Sequence, residues 1–594
     1  MHSTRRHVFL CAIAIALHVG LASAVYARNA ELDAFFDQFA AEWVEHDPDL
    51  ATSTRYFSGP RQQRLERMLT PQTRQWRNER AQRAERGIRA LEKFDPGTMS
   101  ETQRISAELM RWQLQAVVDA NAFADYEFPL DQFRGANVYL VDNLTVRHPL
   151  ATAQDADNYL ARLSLIDDRM KEALAEARRL ARKNMIPPRF ILDATLRQMR
   201  TFIDVPPAEN PLVTSLDQRL PADALTGDQK STTLMRATRI VERQVYPAWR
   251  EAIGFLESLL PKATDDAGLW RFPGGDAAYA NALYRFTSTR LTADEIHEIG
   301  LREVARIEAQ MDEILRSLGR TQGSVRERIE QLEIDLRYPE PDSEQARAAI
   351  MRDIDALMSD ALQRSAQLFA DMPRTQVIAR PYPKFREMSA AASYTRAPFD
   401  GSRPAVFQIP LRLQYMTKFG LRTLVYHETV PGHHFQIALE QENPELPRFR
   451  QARALGGISA LSEGWALYSE RLAAENGWYD GDPEGLLGQL DAALFRARRL
   501  VVDTGLHAKR WTRQQAIDYG IEASEVERYV VMPGQACAYM IGQLKLIELR
   551  DRARRELGER FSFKEFHSAV LGAGTVPLDL LEKIVDQYIA KARE

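Results

Sequence analysis

Residues 426–436 read YHETVPGHHFQ. The stretch opens like a helix carrying His427 and Glu428, the order in which an HExxH zinc site sets a ligand beside a base. The second histidine of that frame belongs at 431, where this chain has Pro431; His433 and His434 follow late. Whether 427–434 forms one helix or two decides how the C-terminal half is built. On a straight helix, residues six or seven apart are separated by about 9–10 Å along the axis. Two nitrogens each about 2.1 Å from one zinc ion lie no more than about 4.2 Å apart. An unbroken helix therefore cannot bring His427 and either later histidine to one ion. Pro431 removes the N–H that would bond the carbonyl of residue 427, and its ring crowds that carbonyl. Gly432 permits backbone angles that other residues avoid. The expectation is a helix from about 418 that breaks at Val430–Gly432 and restarts. Geometry alone does not choose between His433 and His434, which point roughly 100° apart on a restarted helix.

Outward from this stretch, the next apolar-striped segment is ISALSEGWALYSERL (458–472). Ile458, Leu461, Trp465, Tyr468 and Leu472 make one stripe, and Glu463, Leu467 and Glu470 lie along another. Zinc takes imidazole nitrogen and carboxylate oxygen and keeps one position open in catalytic sites. Glu463 is the candidate third ligand, because Gly464 beside it allows close helix approach; an ordinary solvated glutamate is the alternative. Amide hydrolysis at such a site builds an oxyanion that a positioned donor stabilises. The C-terminal candidates for that donor are His507, Tyr529 and Tyr539. Gln436 is a candidate support for the ligands, and Arg499 and Asp503, four apart, are expected to pair.

Most of the remaining sequence has helical periodicity. It marks segments near 31–48, 72–93, 101–122, 153–184, 229–260, 291–319, 344–372, 524–558 and 577–593. Thr292 and Glu295 form a capping box, and Gly319 closes that segment. Between about 376 and 410, β-branched and aromatic residues with prolines read as two or three short strands. Short loop-like stretches at 202–212 and 272–276 divide an N-terminal helical region (28–270) from a C-terminal catalytic region (271–594).

Composition excludes other classes. Lys and Arg total 78 against 82 Asp and Glu, a balance that argues against a general nucleic-acid or membrane-surface binder. No defensible phosphate loop or serine elbow occurs. Arg5 and Arg6, the apolar run Val8–Leu17 and small residues up to Ala27 have the order of a secretory signal over 1–27. Its removal takes the net charge from −4 to −6 and leaves Cys537 as the one cysteine. The mature chain is then expected in the periplasm or outside the cell, without an internal disulfide and without a membrane anchor.

HETVPGHHFQ (427–436) and SEGWALYSE (462–470) resemble the domain-of-unknown-function family 885, whose motif reads roughly HExxPGHxxQ and which is grouped with HExxH zinc peptidases. The resemblance continues through 284–311, 498–517, 525–550 and 566–582. It implies a mainly α fold, a large multi-helix body around a deep cleft with a small β-sheet near the active site. This is similar to the angiotensin-converting-enzyme and thimet-oligopeptidase architecture, with one continuous domain over 28–594. It also implies zinc ligands at His427, His433 and Glu463 and a general base at Glu428, and leaves His434 open. The expected activity is zinc-dependent hydrolysis of short peptides. The alternatives are an amidase of a modified amino acid and a catalytically silent peptide-binding protein.

Overall fold

Local chemistry sets many of the helix boundaries. The Thr292 side chain accepts from the N–H of Glu295, whose carboxylate accepts from the N–H of Thr292 at 2.8 Å, and helix α1 (Ala293–Ser317) begins there. Equivalent reciprocal caps start helices after Ser100, Thr152, Thr226, Ser324 and Thr512. Each satisfies two N–H groups that a helix start leaves open. In this computed structural model the described residues are 28–338, 343–382, 387, 391–399, 401, 404–412 and 416–594. The expected signal segment, 1–27, lies outside them.

Three expected helices are divided. The segment 153–184 becomes Ala153–Leu163 and Ile166–Arg182, and the break lets Leu163, Ile166 and Met170 enter one core. The segment 229–260 carries a π-helical turn at Val241–Val245, just before Pro247, which has no N–H to continue the ladder. The segment 524–558 splits at Met532–Gly534, where Pro533 removes a donor and Gly534 takes a positive φ of 80°.

Among the described residues 71% are helical, which places the protein in the mainly α class, with one three-stranded sheet. After helix α2 (Glu344–Leu368) come strands β1 (Val377–Pro381), β2 (Ser393–Thr395) and β3 (Ala405–Ile409). β3 is central, parallel to β1 with Val377 opposite Ala405, and antiparallel to β2 with Tyr394 opposite Phe407. Phe407 and Ile409 pack on Ile350 and Ile354 of α2, and on Leu421 and Val425 of helix α3 (Leu421–Glu428). Helix α4 (His433–Glu442) follows at once, then α5 (Ser459–Glu475), α6 (Pro483–His507), α7 (Ala523–Val531) and α8 (Ala538–Leu557).

The hydrophobic cores cross position 270. Leu32, Phe36 and Trp43 share a core with Phe449 and Leu455. Leu109 joins the C-terminal core that contains Trp465, Leu549 and Leu581. A separate core lies within residues 69–263.

The crossing of α5 and α8 fixes the helix that carries Glu463. Gly464 and Gly542 face each other there. A Cβ at Gly464 would lie 2.5 Å from Gly542 Cα, and a Cβ at Gly542 would lie 1.9 Å from the Ala460 carbonyl oxygen. These obstacles are backbone atoms, which cannot swing aside. Gly542→Ala is expected to destabilise the fold by at least about 2 kcal/mol, read as a lower urea midpoint with an unchanged slope.

Candidate metal centre

The break in YHETVPGHHFQ falls where the proline demands it. α3 ends at Glu428, Thr429 has φ −116° and ψ −105°, and α4 starts at His433. The Val430–Pro431 peptide is cis. A Cβ at Gly432 would lie 2.0 Å from the carbonyl oxygen of His427 and 2.3 Å from that of Tyr426, so only glycine fits this close return of the chain. α5 clamps the turn: Trp465 Nε1 and Ser469 Oγ both donate to the Pro431 carbonyl, at 2.8 and 3.1 Å.

The clamp brings three side chains together. The His427 and His433 rings meet edge to face, with centroids 4.8 Å apart. Glu463 Oε2 lies 3.4 Å from His433 Nε2 and 3.9 Å from His427 Nε2. One ligand atom from each of His427, His433 and Glu463 lies within 4.8 Å of the others. That spread is only slightly wider than two donors on one zinc ion require. Two imidazoles and a carboxylate are also a ligand set that zinc accepts while keeping a coordination position open. The residues present fit a divalent ion of this kind.

Electrostatics agree with that fit. Burial opposes the charge on Glu463, but His433, His427 and Arg499 outweigh it and hold the carboxyl down at about 2. Burial lowers the proton affinity of His433, and Glu463 and Glu428 more than reverse this, so the imidazole is raised overall. The side chain of Glu463 keeps 22% of its surface exposed, so the group has access to solvent.

Glu470, two turns after Glu463 on α5, places its Oε1 2.6 Å from His427 Nδ1 and is itself 1% exposed. It fixes the His427 ring with Nε2 turned to the other ligands, the arrangement a metal-binding histidine uses. Sequence reasoning set Glu470 on the same stripe as Glu463 but gave it no role; the spacing of seven residues was the available signal. Gln436 reaches the Leu461 carbonyl at 3.5 Å and ties α4 to α5. Glu428 is buried beside His433, and its carboxylate has no hydrogen-bonding partner among the described residues. His434 turns the other way. Its Nδ1 lies 3.2 Å from the Tyr394 hydroxyl on β2, and burial takes its pKa down to about 4.

The three expected oxyanion donors separate by their protons. His507 Nδ1 accepts from the N–H of Leu269 at 3.1 Å, so Nε2 carries the proton and donates it to the Tyr529 carbonyl at 3.0 Å. The Tyr529 hydroxyl accepts from Arg499 Nε at 3.0 Å, and burial together with the neighbouring Glu525 carboxylate raises its pKa, so the phenol keeps its proton. Tyr539, 9% exposed, has its phenol oxygen beside the guanidiniums of Arg499 and Arg528. Its own proton has no acceptor among the described residues. The expected pairing of Arg499 with Asp503 does not form. Asp503 instead accepts from the Tyr279 hydroxyl at 2.6 Å and from the N–H of Gly534 at 3.0 Å, because its helix face meets the Pro533–Gly534 turn.

An open cavity of about 1140 Å³ lies between the N-terminal helices and the Arg448–Gln451 turn, lined by Tyr56, Phe57, Arg61, Phe399 and Arg448 among others. None of the residues of the metal-type group lines it. Among the described residues no helix is long and apolar enough to cross a membrane.

Residues 48–585 match the family described as bacterial protein of unknown function (DUF885), and the chain belongs to that family. A crystal structure of a "putative lipoprotein" from Colwellia psychrerythraea is 30% identical, with a TM-score of 0.87 over 94% of this chain and 99% of that one. A "putative lipoprotein of unknown function" from Shewanella oneidensis shares the fold at 18% identity and a TM-score of 0.67, over 92% of this chain and 99% of that one. No curated protein matches the chain.

His507 is a structural histidine with a testable signature. Burial pushes its pKa down to about 3, against about 6.5 in an unfolded chain. Between these values the unfolded chain holds a proton that the folded one lacks. The contribution of His507 to stability is therefore complete above about pH 6.5 and is lost as the pH falls towards 3. His507→Gln is expected to cost about 1–3 kcal/mol at pH 7.5. At pH 5.5 the deficit should shrink by roughly 1 kcal/mol, measured by urea unfolding at the two values.

Proposed function

We propose that this DUF885 protein is an exported zinc-dependent peptidase that hydrolyses amide bonds of short peptides. The observation that carries the reading is the unpartnered, nearly buried carboxylate of Glu428 beside three ligand atoms within 4.8 Å of one another. The carboxylate accepts no hydrogen bond from the described residues, which leaves its oxygens free to meet a water. It is useful as a base. Zinc, when bound by His427, His433 and Glu463, supplies Lewis acidity that brings the pKa of a water down to about 7.

The chain's own groups divide the remaining work. Glu428 takes a proton from the attacking water as its oxygen closes on the carbonyl carbon, and returns it to the amide nitrogen as the C–N bond breaks. Tyr539 donates its free proton as a hydrogen bond to the oxyanion. Glu470 keeps His427 in one tautomer and one orientation throughout. Export is supported by the order of Arg5–Arg6, the apolar run and the small residues that follow. The lipoprotein names given to the two solved relatives point the same way.

Protein purified without chelator or metal-affinity resin is expected to carry about one zinc per chain. Glu428→Gln should keep that zinc and lose about 10²–10⁴-fold in turnover. His433→Ala should lose metal and activity together, whereas His434→Ala keeps its metal. Glu470→Gln should weaken zinc binding by about 10–100-fold. Elemental analysis and digestion of a mixed peptide library check all four. A folded, metal-free and fully active preparation would contradict the reading.

A further inference from the structure

Arg499 lies on α6, which packs against α5 and α3, and is 5% exposed. Its guanidinium sits between two rings, 4.4 Å from the Phe495 centroid and 4.5 Å from that of Tyr539. Nε donates to the Tyr529 hydroxyl and Nη2 to Glu525 at 2.9 Å, but Nη1 has no acceptor among the described residues. Arg528 on α7 repeats the pattern. Nη2 donates to Gln535 Oε1 at 2.6 Å, Nη1 lies 3.4 Å from Glu525, and Nε has no acceptor.

Two guanidiniums therefore share one carboxylate, Glu525. Asp503 also feels Arg528, but burial pushes its carboxyl up to about 7, so it neutralises only part of the excess. Two N–H donors, Arg499 Nη1 and Arg528 Nε, have no acceptor among the described residues, and a bound anion would satisfy them. Planar guanidiniums match a carboxylate best, because their N–H groups meet both its oxygens. The location selects which carboxylate. Arg499 stacks on Tyr539 of α8, the helix that crosses α5 at Gly464, the residue next to Glu463. Tyr539, whose proton has no acceptor among the described residues, lies by both arginines.

We infer that Arg499 and Arg528 form the seat for the free α-carboxylate of a peptide whose scissile amide lies at His427, His433 and Glu463. The substrate class is then peptides with an unblocked carboxyl end, cleaved close to that end. This rests on the peptidase reading above and narrows it.

The test uses zinc-loaded protein and short peptides of mixed sequence in three forms: free carboxylate, carboxamide, and carboxamide with a terminal glutamate. The free acids should be cleaved with kcat/KM at least about 30-fold above the carboxamides. Arg528→Gln should narrow that ratio to less than about 3-fold, mainly through KM. Arg528→Lys, which keeps the charge without the planar fork, should give an intermediate ratio, and a thermal midpoint near wild type shows that the variants fold. Equal cleavage of acids and carboxamides by the unaltered protein overturns the inference and leaves the peptidase reading standing. A ratio unchanged in both variants overturns it, as does cleavage of the glutamate carboxamides at the rate of the free acids, which would move recognition to a side-chain carboxylate. Cleavage of none of the three forms overturns the peptidase reading, and this inference with it.

Discussion

The arrangement depends on one distance. Two imidazoles six residues apart must approach within a few ångströms, and a helix holds such residues about 9 Å apart along its axis. The chain resolves the conflict at Pro431 and Gly432. The proline withdraws the N–H that would keep α3 running, and the glycine lets the backbone return against the carbonyls of Tyr426 and His427. A turn of this shape leaves a carbonyl pointing inward. Trp465 and Ser469 satisfy it, and they come from the same helix that presents Glu463 and Glu470. Turn, clamp and ligands are therefore set by one helix–helix contact.

That contact is held from behind. α5 lies on α8 through Gly464 and Gly542, with backbone against backbone. α8 also carries Tyr539, so the carboxylate of Glu463 and the phenol of Tyr539 share a frame that cannot slide without a clash. α6 adds Arg499, stacked on Tyr539, and Asp503, which receives the N–H of Gly534 at the turn before α8. The polar groups around the site are thus tied to one another through the helices that bear them.

What could be read from sequence was mostly local. The cap at Thr292 and Glu295 involves residues three apart, and both the residues and the outcome are visible in the string. The break at Pro431 follows from a missing N–H and a ring, which are equally local. The splits at 164–165 and 532–534 were missed for different reasons. The first answers to a shared core, which a single segment does not reveal. The second was written plainly as Pro533 and Gly534 but was outweighed by strong helical periodicity on both sides. His507, Tyr529 and Tyr539 looked equivalent in sequence. Only tertiary partners separate them, since the Leu269 N–H, Glu525 and Arg499 arrive from other elements. The pairing of Arg499 and Asp503 followed from a spacing of four, and it failed because each faces a different neighbour.

The first helices are closed by the last third of the chain. Phe36 packs on Phe449 with ring centroids 5.3 Å apart, Arg448 donates to the Tyr56 carbonyl, Gln113 donates to the Gly456 carbonyl, and Lys583 pairs with Glu108. During synthesis, the core of Leu32, Phe36 and Trp43 gathers partners such as Tyr56, Leu91 and Leu114 early, but Phe449 and Leu455 arrive only some four hundred residues later. Contacts this distant in sequence make folding slow and leave hydrophobic surface open in the meantime. The amino-terminal segment therefore cannot complete its own core until the carboxyl end of the chain has been made.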